Sequence, residues 1–266
     1  MTSAVPIEYL DIPGRKRLAC RFSPGDSPTV VFLGGFMSDM EGSKAAALEA
    51  HCRGRGQSYL RFDYSGHGSS KGRFEDGTIS SWLEDALAVI GRKTDGPLVL
   101  IGSSMGGWIA LLAAIALGAR VKGLIGLAAA PDFTEELMWE GLDAGQRHEL
   151  EERGFTYMPS DYPGQPYKVT RALIEDGRRH LLLGAEIPLH MPVRLLQGSL
   201  DPDVPAGMPQ RISDCLASDD VQIRILEGGG HNLSRDQDIE RLLATLDDLM
   251  ARLKEGSGAP GNANEG

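Results

Sequence analysis

Gly102-Ser103-Ser104-Met105-Gly106 follows the apolar run Leu98-Val99-Leu100-Ile101 and opens a second one, Trp108 to Leu117. A GxSxG between a strand and a helix is the pattern of a nucleophile elbow, in which the glycines permit a strained turn that projects the central serine at the carboxyl edge of a sheet. The pattern nominates Ser104 as a nucleophile and the next amide, Met105 N–H, as a donor to an oxyanion. Five letters alone decide little, because the chain holds a second copy, Gly68-Ser69-Ser70-Lys71-Gly72. That copy follows a polar turn and precedes Arg73-Phe74-Glu75, so it lacks both strand and helix and reads as a loop.

A serine hydroxyl needs a base to take its proton, and an imidazole is the usual one. Among six histidines, His231 in Gly228-Gly229-Gly230-His231-Asn232 lies between the last apolar strand run and the last helical stretch, which the chain order Ser, acid, His requires. His67, in Asp63-Tyr64-Ser65-Gly66-His67-Gly68, is the rival, but it precedes the serine in a glycine-flanked turn. His51, His148 and His180 fall in polar helical stretches and are expected to be solvated. The base needs a carboxylate to hold its tautomer. Asp201, in the loop Gly198-Ser199-Leu200-Asp201-Pro202-Asp203 after an apolar run, is the expected acid, with Asp203 and Asp132 as alternatives. The loop Gly34-Gly35-Phe36-Met37 offers Phe36 N–H as a second oxyanion donor, although the same glycines would suit a plain strand-ending turn.

These residues need a scaffold that carries them on strand ends. Near-continuous Val, Ile and Leu runs at Thr29 to Leu33, Tyr59 to Asp63, Leu98 to Gly102, Val121 to Leu127, Val193 to Gln197 and Val221 to Leu226 read as strands buried on both faces. Helical stretches separate them, the alternation of a parallel sheet. Ile79, Trp82, Leu83, Ala86 and Ile90 form one apolar stripe; Ile239, Leu242, Leu243, Leu246, Leu249, Met250 and Leu253 form another, with Ser234 and Gln237 as its expected capping box. Ile7 to Ile12 and Arg17 to Phe22 read as an edge hairpin turned at Pro13-Gly14. The expected organisation is a core of residues 1–132 and 191–254, an inserted cap over 133–190 with two helical stretches and no strand, and a disordered tail over 255–266.

With strand, elbow, helix, late acid and later histidine in that order, the chain resembles the α/β-hydrolase superfamily. More narrowly, Arg61-Phe62-Asp63-Tyr64-Ser65-Gly66-His67-Gly68, Gly102-Ser103-Ser104-Met105-Gly106-Gly107-Trp108 and Pro192-Val193-Arg194-Leu195-Leu196 are similar to the acyl-glucuronide esterase and palmitoyl-protein thioesterase group. The likeness runs from about Val30 to about Leu249. It implies an α/β fold with a mostly parallel central sheet, helices on both faces and an inserted helical cap, and it assigns Ser104 as nucleophile, Asp201 as acid and His231 as base. The mitochondrial presequence of that group has no counterpart at this N-terminus, so a cytoplasmic, bacterial member is expected.

The expected activity is hydrolysis of an acyl ester or thioester through an acyl-enzyme, with no cofactor. A perhydrolase or C–C hydrolase with the same three residues, and a ligand-binding scaffold without turnover, are the alternatives. In the cap, Lys168, Arg171, Arg178, Arg179 and His180 gather on one short stretch. Arg171, Arg178 and Arg179 either pair with Glu175 and Asp176 on a solvated face or offer a guanidinium to an anionic leaving group such as a uronate.

Composition agrees with this reading. In 266 residues, 41% hydrophobic and 24% charged is globular, and 27 Lys and Arg against 37 Asp and Glu leave a net charge of −10 that a phosphate backbone would repel. Nucleic acid is therefore not an expected partner. Cys20, Cys52 and Cys215 are far apart and odd in number, which suggests neither a disulfide framework nor a metal site. The N-terminus has no basic and apolar leader, and the longest apolar stretch is about half of the roughly 20 residues that cross a bilayer.

Overall fold

Alternation along the buried strands sends their side chains to two faces, and each face is closed by its own helices. In a computed structural model, which describes residues 5–159 and 166–257, the chain runs β1 (Glu8–Leu10), β2 (Leu18–Ser23), β3 (Asp26–Leu33), α1 (Ser43–Gly54), β4 (Gln57–Phe62), α2 (Ile79–Lys93), β5 (Leu98–Ser103), α3 (Met105–Leu117) and β6 (Val121–Leu127). It continues through α4 (Ala144–Arg153), β7 (Phe155–Met158), β8 (Tyr167–Thr170), α5 (Arg171–Gly177), β9 (Val193–Gly198), α6 (Met208–Cys215), β10 (Val221–Leu226) and α7 (Asp236–Ser257). Val30, Phe32, Val99, Ile101, Ile125 and Leu196 pack under α1 and α7 through Leu48, Leu242, Leu246 and Leu249. Val31, Leu33, Leu60, Leu100, Leu124 and Leu195 face the other way, against Ile79, Trp82, Ile90 and Trp108.

The eight-stranded sheet has the order β1-β2-β4-β3-β5-β6-β9-β10. The edge hairpin β1–β2 is antiparallel and β2 joins β4 antiparallel; β4 through β10 pair in parallel. The chain builds outward from β3 to β4 and then crosses back to β5, so the strand order reverses between β3 and β5. In open sheets of this kind the crevice beyond the carboxyl ends at that reversal is where ligands bind. The loops after β3 and β5 are the ones that carry Phe36 and Ser104.

Between β6 and β9 the chain leaves the sheet. A π-helical turn (Thr134–Trp139) leads to α4, capped by Asp143 and Gln146 and ended by left-handed Gly154. The expectation of a segment without strands fails here: β7 and β8 pair antiparallel from Phe155 opposite Thr170 to Met158 opposite Tyr167. Each is only four residues long, too short for alternation to stand out from a helical pattern. The irregular link expected around Met158 to Pro163 lies outside the described residues from position 160 onward, as does the tail beyond 257. The tail's expected start at 255 is corrected, because α7 runs on to Ser257.

The capping box expected from Ser234 and Gln237 is not the one formed. Asp238 reaches back instead, its carboxylate accepting from Arg235 N at 3.2 Å and from the Arg235 side chain at 2.7 and 2.8 Å. Among the described residues no helix is long and apolar enough to cross a membrane.

Candidate active site

Strand β5 ends at Ser103 and α3 begins at Met105, so one residue makes the turn. Ser104 makes it at φ 55° and ψ −120°, a conformation that costs a non-glycine residue of order 1–3 kcal/mol and persists only when its surroundings impose it. The surroundings are main chain. Ser104 N donates to Leu127 O at 2.9 Å, and Ser104 O accepts from Gly107 N at 2.8 Å and Ala130 N at 3.2 Å. A Cβ on Gly106 would overlap the carbonyl oxygens of Leu33 and Gly34, and one on Gly102 would overlap the Gly106 carbonyl. The glycines of the motif are thus spent on close backbone approach, which is why strand and helix can meet at so sharp an angle.

The Ser104 hydroxyl meets His231 Nε2 at 2.9 Å, and His231 Nδ1 lies 3.0 and 3.2 Å from the two carboxylate oxygens of Asp201. A carboxylate only accepts, so Nδ1–H donates and Nε2 keeps the lone pair that takes the serine O–H. Burial alone would raise the Asp201 carboxyl; donation from His231 and from Val204 and Asp203 N–H outweighs it and holds the group below the ordinary carboxylate range. Asp203 N and Val204 N both donate to Oδ1 at 2.9 Å, and Gln197 Nε2 donates to Oδ2 at 2.8 Å. The sequence reading passed over Gln197; its signal was a lone amide at the end of an otherwise apolar strand. The loops that carry acid and imidazole are tied to each other by Leu200 N to Gly229 O at 2.8 Å and Gly228 N to Ser199 Oγ at 2.8 Å. Lys44 Nζ donates to the carbonyl of Asn232, the next residue after the imidazole.

The loop after β3 presses on the elbow: a Cβ on Gly35 would lie 3.3 Å from Ser103 O and 3.4 Å from Ser104 Cβ. Asp63, buried at the end of β4, accepts Met40 N at 2.7 Å and Ser69 N at 2.8 Å and so ties this loop to the neighbouring one. Burial pushes its carboxyl up to about 6 against those two donors. Phe36 is set edge-on among Phe74, Trp82, Phe133 and Tyr167. Phe36, Ser104 and His231 share the wall of a cavity of about 520 Å³ with Phe133, Leu137, Met138, Met158 and Tyr167 of the inserted segment. The cavity thus has a polar corner and an apolar flank.

Residues 30–245 match the sequence profile of the Alpha/beta hydrolase family. The chain belongs to that family. It is 38% identical to palmitoyl-protein thioesterase ABHD10, mitochondrial, of Homo sapiens, over 93% of this chain and 81% of that protein. Among solved structures, a putative hydrolase from Agrobacterium vitis S4 superposes with a TM-score of 0.88 at 39% identity, and alpha/beta hydrolase domain-containing protein 10 from mouse with 0.87 at 35%. Each comparison covers 93% of this chain and 99% of the other. Est1E from Butyrivibrio proteoclasticus, at 23% identity and a TM-score of 0.76, shares the fold.

Other residues singled out in this hydrolase's sequence lie elsewhere. None of Arg171, Arg178 and Arg179 lines the cavity. Arg171 pairs with Glu175, Arg178 with Glu135 over the face of Trp139, and Arg179 with Asp176, so their guanidiniums are engaged within the inserted segment. His180 is not solvated as expected: its Nε2 meets Ser80 Oγ at 2.7 Å, and Ser80 Oγ donates to Asp176 at 2.8 Å. His51 likewise meets Asp247, at 2.8 Å. His67 is buried among Tyr64, Phe74 and Trp82, and burial lowers its imidazole to about 4. Asp132 gives both oxygens to Leu182 N and Leu183 N. Ser70, in the second GxSxG, accepts Ala19 N at 2.8 Å and donates to Asp63 O at 2.7 Å.

Asp201, Asp203 and His231 offer ligand atoms within 4.8 Å of one another. Both Asp201 oxygens are already filled by N–H donors, and an imidazole that hydrogen-bonds a serine hydroxyl is not aimed at an ion. The donor set fits proton transfer better than metal ligation.

Proposed function

We propose that the protein is a serine hydrolase that cleaves acyl esters or thioesters through an acyl-enzyme, with Ser104 as nucleophile, His231 as base and Asp201 as acid. The observation that carries this reading is the continuous hydrogen-bonded line from the Ser104 hydroxyl through His231 to Asp201. His231 Nε2 takes the serine proton as Oγ adds to the acyl carbon, and the oxyanion that forms accepts the N–H groups of Met105 and Phe36. Met105 opens α3, where the first amides have no acceptor within the helix, so its N–H is free to point at developing charge. His231 then returns the proton to the leaving alcohol or thiol, and water attacks the acyl-enzyme by the same route in reverse order, releasing a carboxylic acid and restoring Ser104.

The apolar flank of the cavity supports an acyl chain as the group retained on Ser104, and the relatives named as palmitoyl-protein thioesterases support S-acyl substrates within that class. The test has two parts. A fluorophosphonate should label wild-type protein at Ser104 and leave Ser104→Ala unlabelled; a folded wild type that never reacts overturns the reading in favour of a ligand-binding scaffold. A chain-length series of oxygen esters and thioesters should then give kcat/KM values that rise with apolar chain length, and a flat series removes the acyl-chain assignment.

A further inference from the structure

Gln197 is wholly buried at the end of β9, where every residue from Val193 to Gly198 is buried. Its amide does something an apolar chain cannot. Nε2 donates to Asp201 Oδ2 at 2.8 Å and to Val204 O at 3.3 Å, while its own Oε1 is buried with no partner among the described residues. The orientation is unambiguous, since turning the amide over would set Oε1 against two acceptors. The protein thus leaves one buried oxygen unsatisfied in order to place one donor on the carboxylate.

That donor falls on the oxygen nearer to the imidazole. His231 Nδ1 is 3.0 Å from Oδ2 and 3.2 Å from Oδ1, and the two main-chain N–H donors both serve Oδ1. Without Gln197, Oδ2 has only the imidazole to hold it among the described residues, and the plane of the carboxylate rests on that contact and on the two main-chain donors to Oδ1. We propose that Gln197 is a positioning residue of the catalytic centre: it fixes the Asp201 carboxylate plane and tempers its charge, and through it sets the orientation and basicity of His231. The inference rests on the hydrolase reading of the same site.

Two effects follow. Loss of the donor misorients the imidazole, which lowers kcat and leaves ground-state binding of the acyl chain alone. It also leaves the carboxylate less neutralised, so the imidazolium is held more strongly and the acid limb of the rate profile moves to higher pH. Among the described residues Asp203 and Lys44 are the other charged side chains beside this corner of the cavity, and both are kept in the test. Gln197→Met retains length and Gln197→Leu does not, but both remove the donor. Each should lower kcat roughly 10- to 100-fold with KM nearly unchanged, and move the acid limb of kcat/KM to higher pH.

The pH dependence of fluorophosphonate labelling at Ser104 is the second readout and needs no substrate. Labelling of wild type, with the same acid limb in both folded variants, overturns the role of Gln197 and leaves the hydrolase standing. A harmless Gln197→Met beside an impaired Gln197→Leu assigns the position to packing and overturns it too. A folded wild type that never labels removes both readings together.

Discussion

Asp132 and Leu183 are joined across the neck of the inserted segment: Asp132, just past β6, accepts the N–H of Leu183 at 2.8 Å, and that of Leu182 at the same distance. Asp132 and Asp201 both follow parallel strands at the carboxyl edge of the sheet, yet only Asp201 faces His231. Asp132→Ala should therefore act on stability. Two N–H groups lose their acceptor, at about 1–3 kcal/mol each when buried, while turnover per folded molecule stays within about tenfold. Asp201→Asn should instead lower turnover by about 10³ to 10⁴, far beyond what any loss of folded protein explains. Melting curves and kcat on the same samples separate the two; an inactive but fully stable Asp132→Ala would reassign the acid.

The two GxSxG copies make a matched pair of serines. Ser104→Ala should lower turnover by on the order of 10⁴ to 10⁶ with the fold intact. Ser70→Ala removes the Oγ that links Ala19 and Asp63, so it should cost about 1–2 kcal/mol of stability and keep most activity. Equal inactivation of both would contradict the assignment of the elbow.

His67 gives the fold a marked acid sensitivity. Its imidazole lies at about 4 in the folded protein against an ordinary 6.5, so between those values the unfolded chain binds a proton that the folded one does not. Stability is therefore lost as pH falls through that window, by up to about 3 kcal/mol. His67→Phe keeps a ring among Tyr64, Phe74 and Trp82 and removes the titration, so its denaturation free energy should fall less steeply from pH 6.5 to 4. Parallel curves for the two proteins would refute this.

The arginines of the inserted segment should be indifferent to substrate charge. Arg171→Gln and Arg178→Gln each break an ion pair at the surface, with effects of about 0–1 kcal/mol on stability, and Arg179→Gln removes an exposed guanidinium from the buried Asp176 carboxylate, which keeps the donors of Ser80. KM for a glucuronide ester and for a neutral ester of the same acid should change alike. A selective loss for the glucuronide would restore them to substrate recognition.

The elbow was legible because its flanks were: Leu98 to Ile101 and Trp108 to Leu117 leave no choice but strand and helix, and a turn of one residue between them demands the glycines that are present. Asp201 and His231 were legible from chain order and from loops that follow strands. What escaped was set by partners distant in sequence. β7 and β8 each gain their identity from the other; Asp238 displaces the Ser234 box because Arg235 folds back on it; and His180 is drawn from solvent by Ser80, which lies on α2. Gln197 reads as a strand residue until Asp201 is placed beside it.

Because Asp132 holds Leu182 and Leu183 by their main chain, the excursion from the sheet begins and ends at one point. A loop whose ends already meet can change length at an entropic cost that grows only with the logarithm of its size. The roughly fifty residues between these positions are in that sense a module closed at its neck, and Asp176 and His180 tie it to Ser80 of α2 along the way. The sheet supplies the reacting corner from its own strand ends, and the module supplies Phe133, Leu137, Met138, Met158 and Tyr167 to the opposite wall. A graft that exchanges this segment for that of another family member, seamed at Asp132 and Leu183, would recast the substrate range of the enzyme and leave its chemistry in place.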